Sequence, residues 1–525
     1  MQKNFICRWG ILPLWMLLTA TVFFRPFIPI DETRYLSVAW EMWLRGDYWV
    51  PFLNGHTYSH KPPMLFWLFH IGWAIFGVNE WSPRLVGPFC ALLNLLLIRQ
   101  LAKKLWPEQS EIALLVPWVL MATLLWTLFA TSAMFDILLT CNVLLGMLGL
   151  LELVQGAKYK ACLYFAVAIG FGLLAKGPVI FLHLLPMAAL IGFWHTAPIN
   201  KMVSYVVTLF AALLMGVGIA LLWAIPAAVD GGSAYANEIF WQQTADRTIA
   251  SEIHSRPLFW YIQFLPLVLF PWLFWPRFWK NVLKMEFSID KGLRFCWLWL
   301  LSGLVIFSLL PSKQIHYLLP ILPAFALLTT RVLLKNAQAA NLSAELVLPT
   351  VFALVGIFLM LLPHVPGLSN LKWVQVIEIG WGVAILVIAL IMVAVTVFWR
   401  QLSVISVSTA LVVSVFVGFI YFFRYTGLAY DLRPAALQLQ GLYARGIPCA
   451  FVGNYQGQLH FLGRLTQPLQ TLTTSEVSEW TQQHADGFLL SVEKDKPSDA
   501  FYFQPHREYW LVFRRVVHST NVNAL

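Results

Sequence analysis

The sequence predicts a polytopic α-helical membrane protein of about thirteen spans, followed by a small α/β domain at the C-terminal end. Three observations predict it. Of 525 residues, 59% are hydrophobic and only 11% charged, with a mean hydropathy of +0.71; a water-soluble domain has no use for so much apolar surface. The apolar residues fall in runs of about twenty, the length that crosses a hydrocarbon core of ~30 Å. Beyond Tyr425 those runs stop and the shorter patterning of a soluble domain begins.

The first span covers residues 9–29 and ends in Arg25-Pro26-Phe27 without a small-x-small cleavage site, so it reads as a retained helix rather than a signal peptide. A long outer loop, 30–83, follows, with amphipathic helical stretches at 33–45 and 62–77. Spans at 84–105, 111–130, 136–155, 160–175, 178–195 and 203–226 lead to a second outer loop, 227–257. Spans at 258–280, 295–310, 316–334, 347–363, 373–398 and 402–422 complete the set. The basic loops, among them Arg99-Lys103-Lys104, Lys158-Lys160, Arg277 to Arg294 and Arg331-Lys335, all fall on one side, as cytoplasmic loops do. The formal charge of +10 is therefore topology rather than affinity for nucleic acid. The membrane domain is 1–424 and the outer α/β domain 425–525, with strands near 449–452, 488–492 and 509–513 and a helical stretch at 475–483.

Composition excludes some classes directly. Five of the six cysteines lie in or beside apolar spans and act as small hydrophobes, while Cys449 has no evident partner. There is no CxxC, Walker loop or dinucleotide fingerprint, which argues against a soluble nucleotide site.

The informative polar residues sort to the outer face: Asp31, Glu32, Arg34, His60, Lys61, Asp136, Lys176, Arg247, Glu252, His254, Arg256, Lys313 and His316. Ionisable residues at a membrane surface mark functional sites. Transporters place such groups at the midplane, at broken or repeated segments, and this chain has no obvious inverted repeats or midplane charges; a lipid-sugar flippase stays open as the weaker reading. A binding or scaffolding role would require the loop carboxylates to be dispensable. An enzyme acting on a lipid-borne phosphate needs cations for that phosphate, which Lys61, Lys176, Arg247 and Arg256 supply. It also needs a carboxylate to accept a proton or orient a sugar, and Asp31 and Asp136 are the candidates.

Taken together, Asp31-Glu32-Thr33-Arg34-Tyr35, Asn54-Gly55 with Tyr58, Lys61-Pro62-Pro63, Glu80-Trp81-Ser82-Pro83-Arg84-Leu85, Asp136, Leu174-Ala175-Lys176-Gly177-Pro178, Arg247 with Glu252 to Pro257, Ser312 to Pro320 and Leu459 to Arg464 form an ordered series. In that order the chain resembles the aminoarabinose lipid A transferases and their protein O-mannosyltransferase relatives, membrane glycosyltransferases of the GT-C fold. The resemblance implies a bacterial inner-membrane enzyme with its active site on the periplasmic face. It implies transfer of a sugar from a polyprenyl-phosphate donor to lipid A or to another envelope acceptor, protein or glycan. Asp31 would be the principal catalytic carboxylate and Asp136 the second. Arg34, Tyr35, Tyr58, Lys61, Lys176, Arg247, Arg256 and Tyr317 would bind the donor phosphate or sugar. Where these transferases carry Glu before Lys-Pro-Pro, this chain has His60, which with His254 would be the candidate pair for a divalent metal.

Each of these residues also has a plainer reading. Asp31 and Glu32 suit a helix N-terminus, Asp136 suits a helix cap, and Lys61 and Lys176 suit snorkelling anchors. Two histidines without a third ligand are ordinary loop residues more often than a metal pair.

Overall fold

The computed structural model describes residues 2–195, 202–242, 256–287, 289–335, 341–368, 374–375 and 377–516. They divide into two compact units: Met1–Val22, Ser59–Leu65 and Asn79–Tyr421 in one, and Phe23–Tyr58, Phe66–Val78 and Phe422–Leu525 in the other. This partition differs from a cut at 424/425, because most of the first long loop groups with the C-terminal residues.

The first unit is helical and crosses the membrane many times. Among the described residues of the whole chain, ten helices are long and apolar enough to span. The other three expected spans are interrupted. The segment at 111–130 forms Ser110–Met121, with Pro117 inside it, and then Leu124–Phe129. The segment at 178–195 forms Val179–Ala189, with Pro186 inside it, and Ile191–Trp194. The segment at 258–280 carries Pro266, Pro271 and Pro276 and breaks into Ile262–Phe264, Leu265–Val268, Trp272–Phe274 and Pro276–Val282.

Two expected ends also move. The span placed at 203–226 continues as Met202–Asn237, with a kink at Gly232, so residues 227–237 are helix rather than loop. The span placed at 402–422 runs on as Ser403–Tyr430. Phe135–Val154 is the most enclosed span, with 89% of its apolar window buried. A carboxylate on that helix therefore faces protein, not lipid.

The second unit contains the helix Asp31–Arg45, the short hairpin Phe52–Leu53 with His56–Thr57, and the helix Met64–Phe76. The two helices match the amphipathic stretches read from the sequence. A five-stranded sheet completes it, in the order Gln470–Leu472, Cys449–Val452, Phe488–Glu493, Tyr509–Arg515, Tyr502–His506. The first three strands are parallel and the last two pairings antiparallel. Leu490 sits at the centre of the register, opposite Phe451 on one side and Phe513 on the other. Two strands, Gln470–Leu472 and Tyr502–His506, and the helix Arg433–Ala444 have no counterpart in the sequence reading.

Candidate active site

The predicted site residues gather in two clusters, one in each unit. In the second unit, Asp31 opens its helix, where the N-terminal end of the helix dipole favours a carboxylate. Arg34, one turn on, donates from Nη2 to Asp31 Oδ1 at 2.5 Å. Tyr35 donates its hydroxyl to the same oxygen at 3.4 Å. The Asp31 side chain nevertheless stays 45% exposed, open enough to meet a substrate. Tyr58 is buried in the same unit, with its ring against Phe66.

Glu32 behaves quite differently. It is buried and gripped at both oxygens by Arg25, at 2.6 and 2.9 Å, with the backbone N–H of Ile28 adding a third bond at 2.8 Å. All its strong acceptor capacity goes into holding the chain ahead of the helix. Of the adjacent acids, one is structural and the other is free for chemistry.

In the first unit, Asp136 is enclosed near the start of Phe135–Val154, only 2% exposed. It is not a side-chain cap: the capping position is Met134, which has no side-chain cap bond. Its carboxylate instead bonds Lys176, and His316 Nε2 stands 3.9 Å from the second oxygen. Lys176 is the last residue of Lys158–Lys176, and Gly177 follows with φ +68. That left-handed turn, which a side chain disfavours, lets the helix stop there with Lys176 directed inward. Lys176 is accordingly no snorkelling anchor. Its ammonium lies 4.4 Å from the centroid of the Tyr317 ring, a cation–π contact. Lys61 Nζ lies 5.6 Å from the centroid of Phe135, the neighbour of Asp136. Among the described residues the cluster brings Lys61 and Lys176 near the Asp136 carboxylate, ammonium groups of the kind that bind an anion.

Arg256 is exposed, with its guanidinium 5.9 Å from the Trp260 ring centroid. Its carbonyl accepts from Lys313 Nζ at 3.0 Å, and its N–H donates to Pro311 O at 3.1 Å. Arg247 and His254 lie outside the described residues. His60 is exposed, and among the described residues no three His, Cys, Asp or Glu side chains gather as metal ligands. With His254 outside the described residues the candidate pair is not tested, and no chemical step is assigned to a metal.

His316, named from the sequence only as an outer-face polar residue, approaches Asp136, and one partner of the site was missed altogether. Gln456, in the C-terminal residues, accepts from Arg34 Nη1 at 3.0 Å; nothing in its local sequence announces that.

Known proteins share both the sequence pattern and the architecture. The family model described as dolichyl-phosphate-mannose-protein mannosyltransferase matches residues 60–227, a stretch that contains Lys61, Asp136 and Lys176. The undecaprenyl phosphate-alpha-4-amino-4-deoxy-L-arabinose arabinosyl transferase 1 of Proteus mirabilis is 28% identical over 319 residues, 58% of this chain and 57% of that protein. The corresponding transferase of Erwinia tasmaniensis is 28% identical over 348 residues, 64% of this chain and 61% of that protein. The matches thus span about 57–61% of the length of these curated relatives. The crystal structure of ArnT from Cupriavidus metallidurans bound to undecaprenyl phosphate superposes with a TM-score of 0.72 at 19% identity, covering 97% of both chains. The fold is that of ArnT. The resemblance to the aminoarabinose transferases read from the ordered motifs is thus present in sequence and in fold. The ArnT fold runs through the C-terminal sheet as well as the membrane spans, since so little of either chain is left out.

Proposed function

We propose that this protein is a membrane glycosyltransferase that moves a pentose of the 4-amino-4-deoxy-L-arabinose class from undecaprenyl phosphate to lipid A. On this reading it sits in the bacterial inner membrane and works at the periplasmic face. The observation that carries the proposal is the enclosed Asp136–Lys176–Tyr317 group with Lys61 beside it, on a chain with the ArnT fold.

The chemistry follows from charge. In the donor the phosphate is a diester bearing one negative charge. As the bond between the anomeric carbon and the phosphate oxygen breaks, undecaprenyl phosphate leaves and negative charge grows on that oxygen. Fixed ammonium groups in a water-poor site stabilise such charge where it develops. Lys176, oriented by Asp136 and Tyr317, and Lys61 take that part. The new bond forms between the anomeric carbon and an acceptor oxygen. Where that oxygen is a hydroxyl, Asp31 takes its proton; where it belongs to a phosphate, no proton is removed and Asp31 positions the reactants.

The test compares cells lacking the chain with cells carrying the wild type or Asp31→Asn, by mass spectrometry of lipid A and of released surface glycans. A pentosamine increment on lipid A, present with wild type and absent with Asp31→Asn, supports the proposal. An increment on glycan or protein alone moves the acceptor; equal modification by Asp31→Asn overturns the role given to Asp31.

A further inference from the structure

Asp31 is held by one guanidinium, and that guanidinium is held in turn from a distant part of the chain. Arg34 Nη2 donates to Asp31 Oδ1 at 2.5 Å, and Arg34 Nη1 donates to Gln456 Oε1 at 3.0 Å, across 422 residues of sequence. Among the described residues Arg34 Nε has no acceptor.

The Gln456 side chain is committed at both ends. Its Nε2 donates to Asn454 Oδ1 at 2.7 Å, which decides which end of the amide faces Arg34. Its backbone N–H donates to Gln458 Oε1 at 2.9 Å.

The segment carrying Gln456 is fastened to the same helix that presents Asp31 and Arg34. Ser37 Oγ donates to Gly457 O at 2.6 Å and accepts from the N–H of Phe461 at 3.2 Å. Trp40 Nε1 donates to Leu465 O at 2.8 Å. Gly457 has φ +71, a backbone conformation that a side chain disfavours. These contacts fix the register of the loop on the helix and so the position of Gln456.

We propose that Gln456 is a positioning residue for Asp31. By holding Arg34 Nη1 it withholds the Nη1–Nη2 edge of the guanidinium from Asp31 and steadies the single-oxygen contact, leaving the other oxygen to the substrate. Left to itself, a guanidinium grips a carboxylate as a two-pronged fork. Both oxygens of Asp31 would then be engaged, and neither would be left to the substrate. The C-terminal residues thereby act on the reaction through one amide, without touching the sugar. This inference rests on Asp31 being the reacting carboxylate of the proposed transferase.

The experiment uses the full chain in detergent, with undecaprenyl-phosphate-linked 4-amino-4-deoxy-L-arabinose as donor, lipid A as acceptor and Asp31→Asn as the inactive control. Gln456→Ala is expected to lower kcat by roughly ten- to a hundredfold, the scale of a misplaced catalytic group, with KM for the donor and the unfolding temperature unchanged. Gln456→Glu still accepts from Nη1 and is expected to keep most of the wild-type kcat. Wild-type kcat in Gln456→Ala overturns the inference, as does an equal loss in Ala and Glu, or a loss that tracks a lower unfolding temperature. If the wild type itself transfers nothing, the proposed function has failed, and the inference is decided by cryo-EM of wild type and Gln456→Ala. Arg34 forked across both oxygens of Asp31 only in the variant supports it; a single-oxygen contact in both overturns it.

Discussion

Asp31 and Asp136 are both carboxylates in the first turn of a helix, each paired with a basic side chain. Their surroundings are opposite. The Asp31 side chain is 45% exposed, and its arginine comes from the same helix three residues on. The Asp136 side chain is 3% exposed, and its lysine comes from a different helix, turned inward at Gly177. An open carboxylate keeps lone pairs for substrate. An enclosed one must have its charge matched, because an unpaired charge away from water costs several kcal/mol. Under the proposed function the first arrangement would serve reaction and the second placement, with Asp136 fixing the ammonium of Lys176.

That contrast can be broken by comparing activity with stability. Asp31→Asn is expected to cost about 10²–10⁴-fold in transfer rate, the range for a lost general base, with no measurable change in unfolding temperature. A large drop in that temperature would make Asp31 structural and erase the distinction. Asp136→Asn should do the reverse first, destabilising the chain by about 3–5 kcal/mol because it strands Lys176. The double variant Asp136→Asn/Lys176→Met should recover part of that stability in a thermal melt yet stay inactive. Full stability in the single variant would mean the ion pair does not matter to the fold.

A pH titration sharpens the comparison within the second unit. Burial pushes the His460 imidazole down to about 4, with the Tyr455 hydroxyl 2.7 Å from its Nδ1. Burial, helped by Arg507, does the same to His506, again to about 4. Both groups bind protons more readily unfolded, near pH 6.5, than folded. Their contribution is therefore complete above pH 6.5 and is lost as pH falls toward 4. By pH 5 each ring should cost about 2 kcal/mol, read as a falling unfolding temperature that His460→Gln blunts. A melt flat from pH 7 to 4.5 would contradict this. The smallest effect belongs to Lys61. Lys61→Met should lower kcat about tenfold, a loss of about 1.4 kcal/mol in transition-state stabilisation, and leave KM for the donor within a few-fold. An unchanged kcat would return Lys61 to the role of a membrane anchor.

Much of this was legible in the residues. Asp31 could be singled out because an acid beside an apolar span is rare, and the helix it opens follows from the periodicity of residues 33–45. The strands at Cys449–Val452 and Phe488–Glu493 were equally plain, being short apolar runs between turns. The three broken spans were not, since counting apolar residues does not show where a helix stops within an apolar run, as at Ala122–Thr123 and Leu190. Nor did the sequence separate Asp31 from Glu32: adjacent acids look alike until Arg25 is seen closing on one of them.

Length, hydropathy and basic-loop spacing by themselves determined a many-span membrane protein with a soluble α/β end, because transfer into a bilayer is a sum over local residues. The same local information marked which polar groups were too costly to be accidental. Only the tertiary structure decided their partners. Lys176 meets Asp136 across 40 residues and Arg34 meets Gln456 across 422, and the strength of an ion pair depends on distance and enclosure, neither of which is written along the chain.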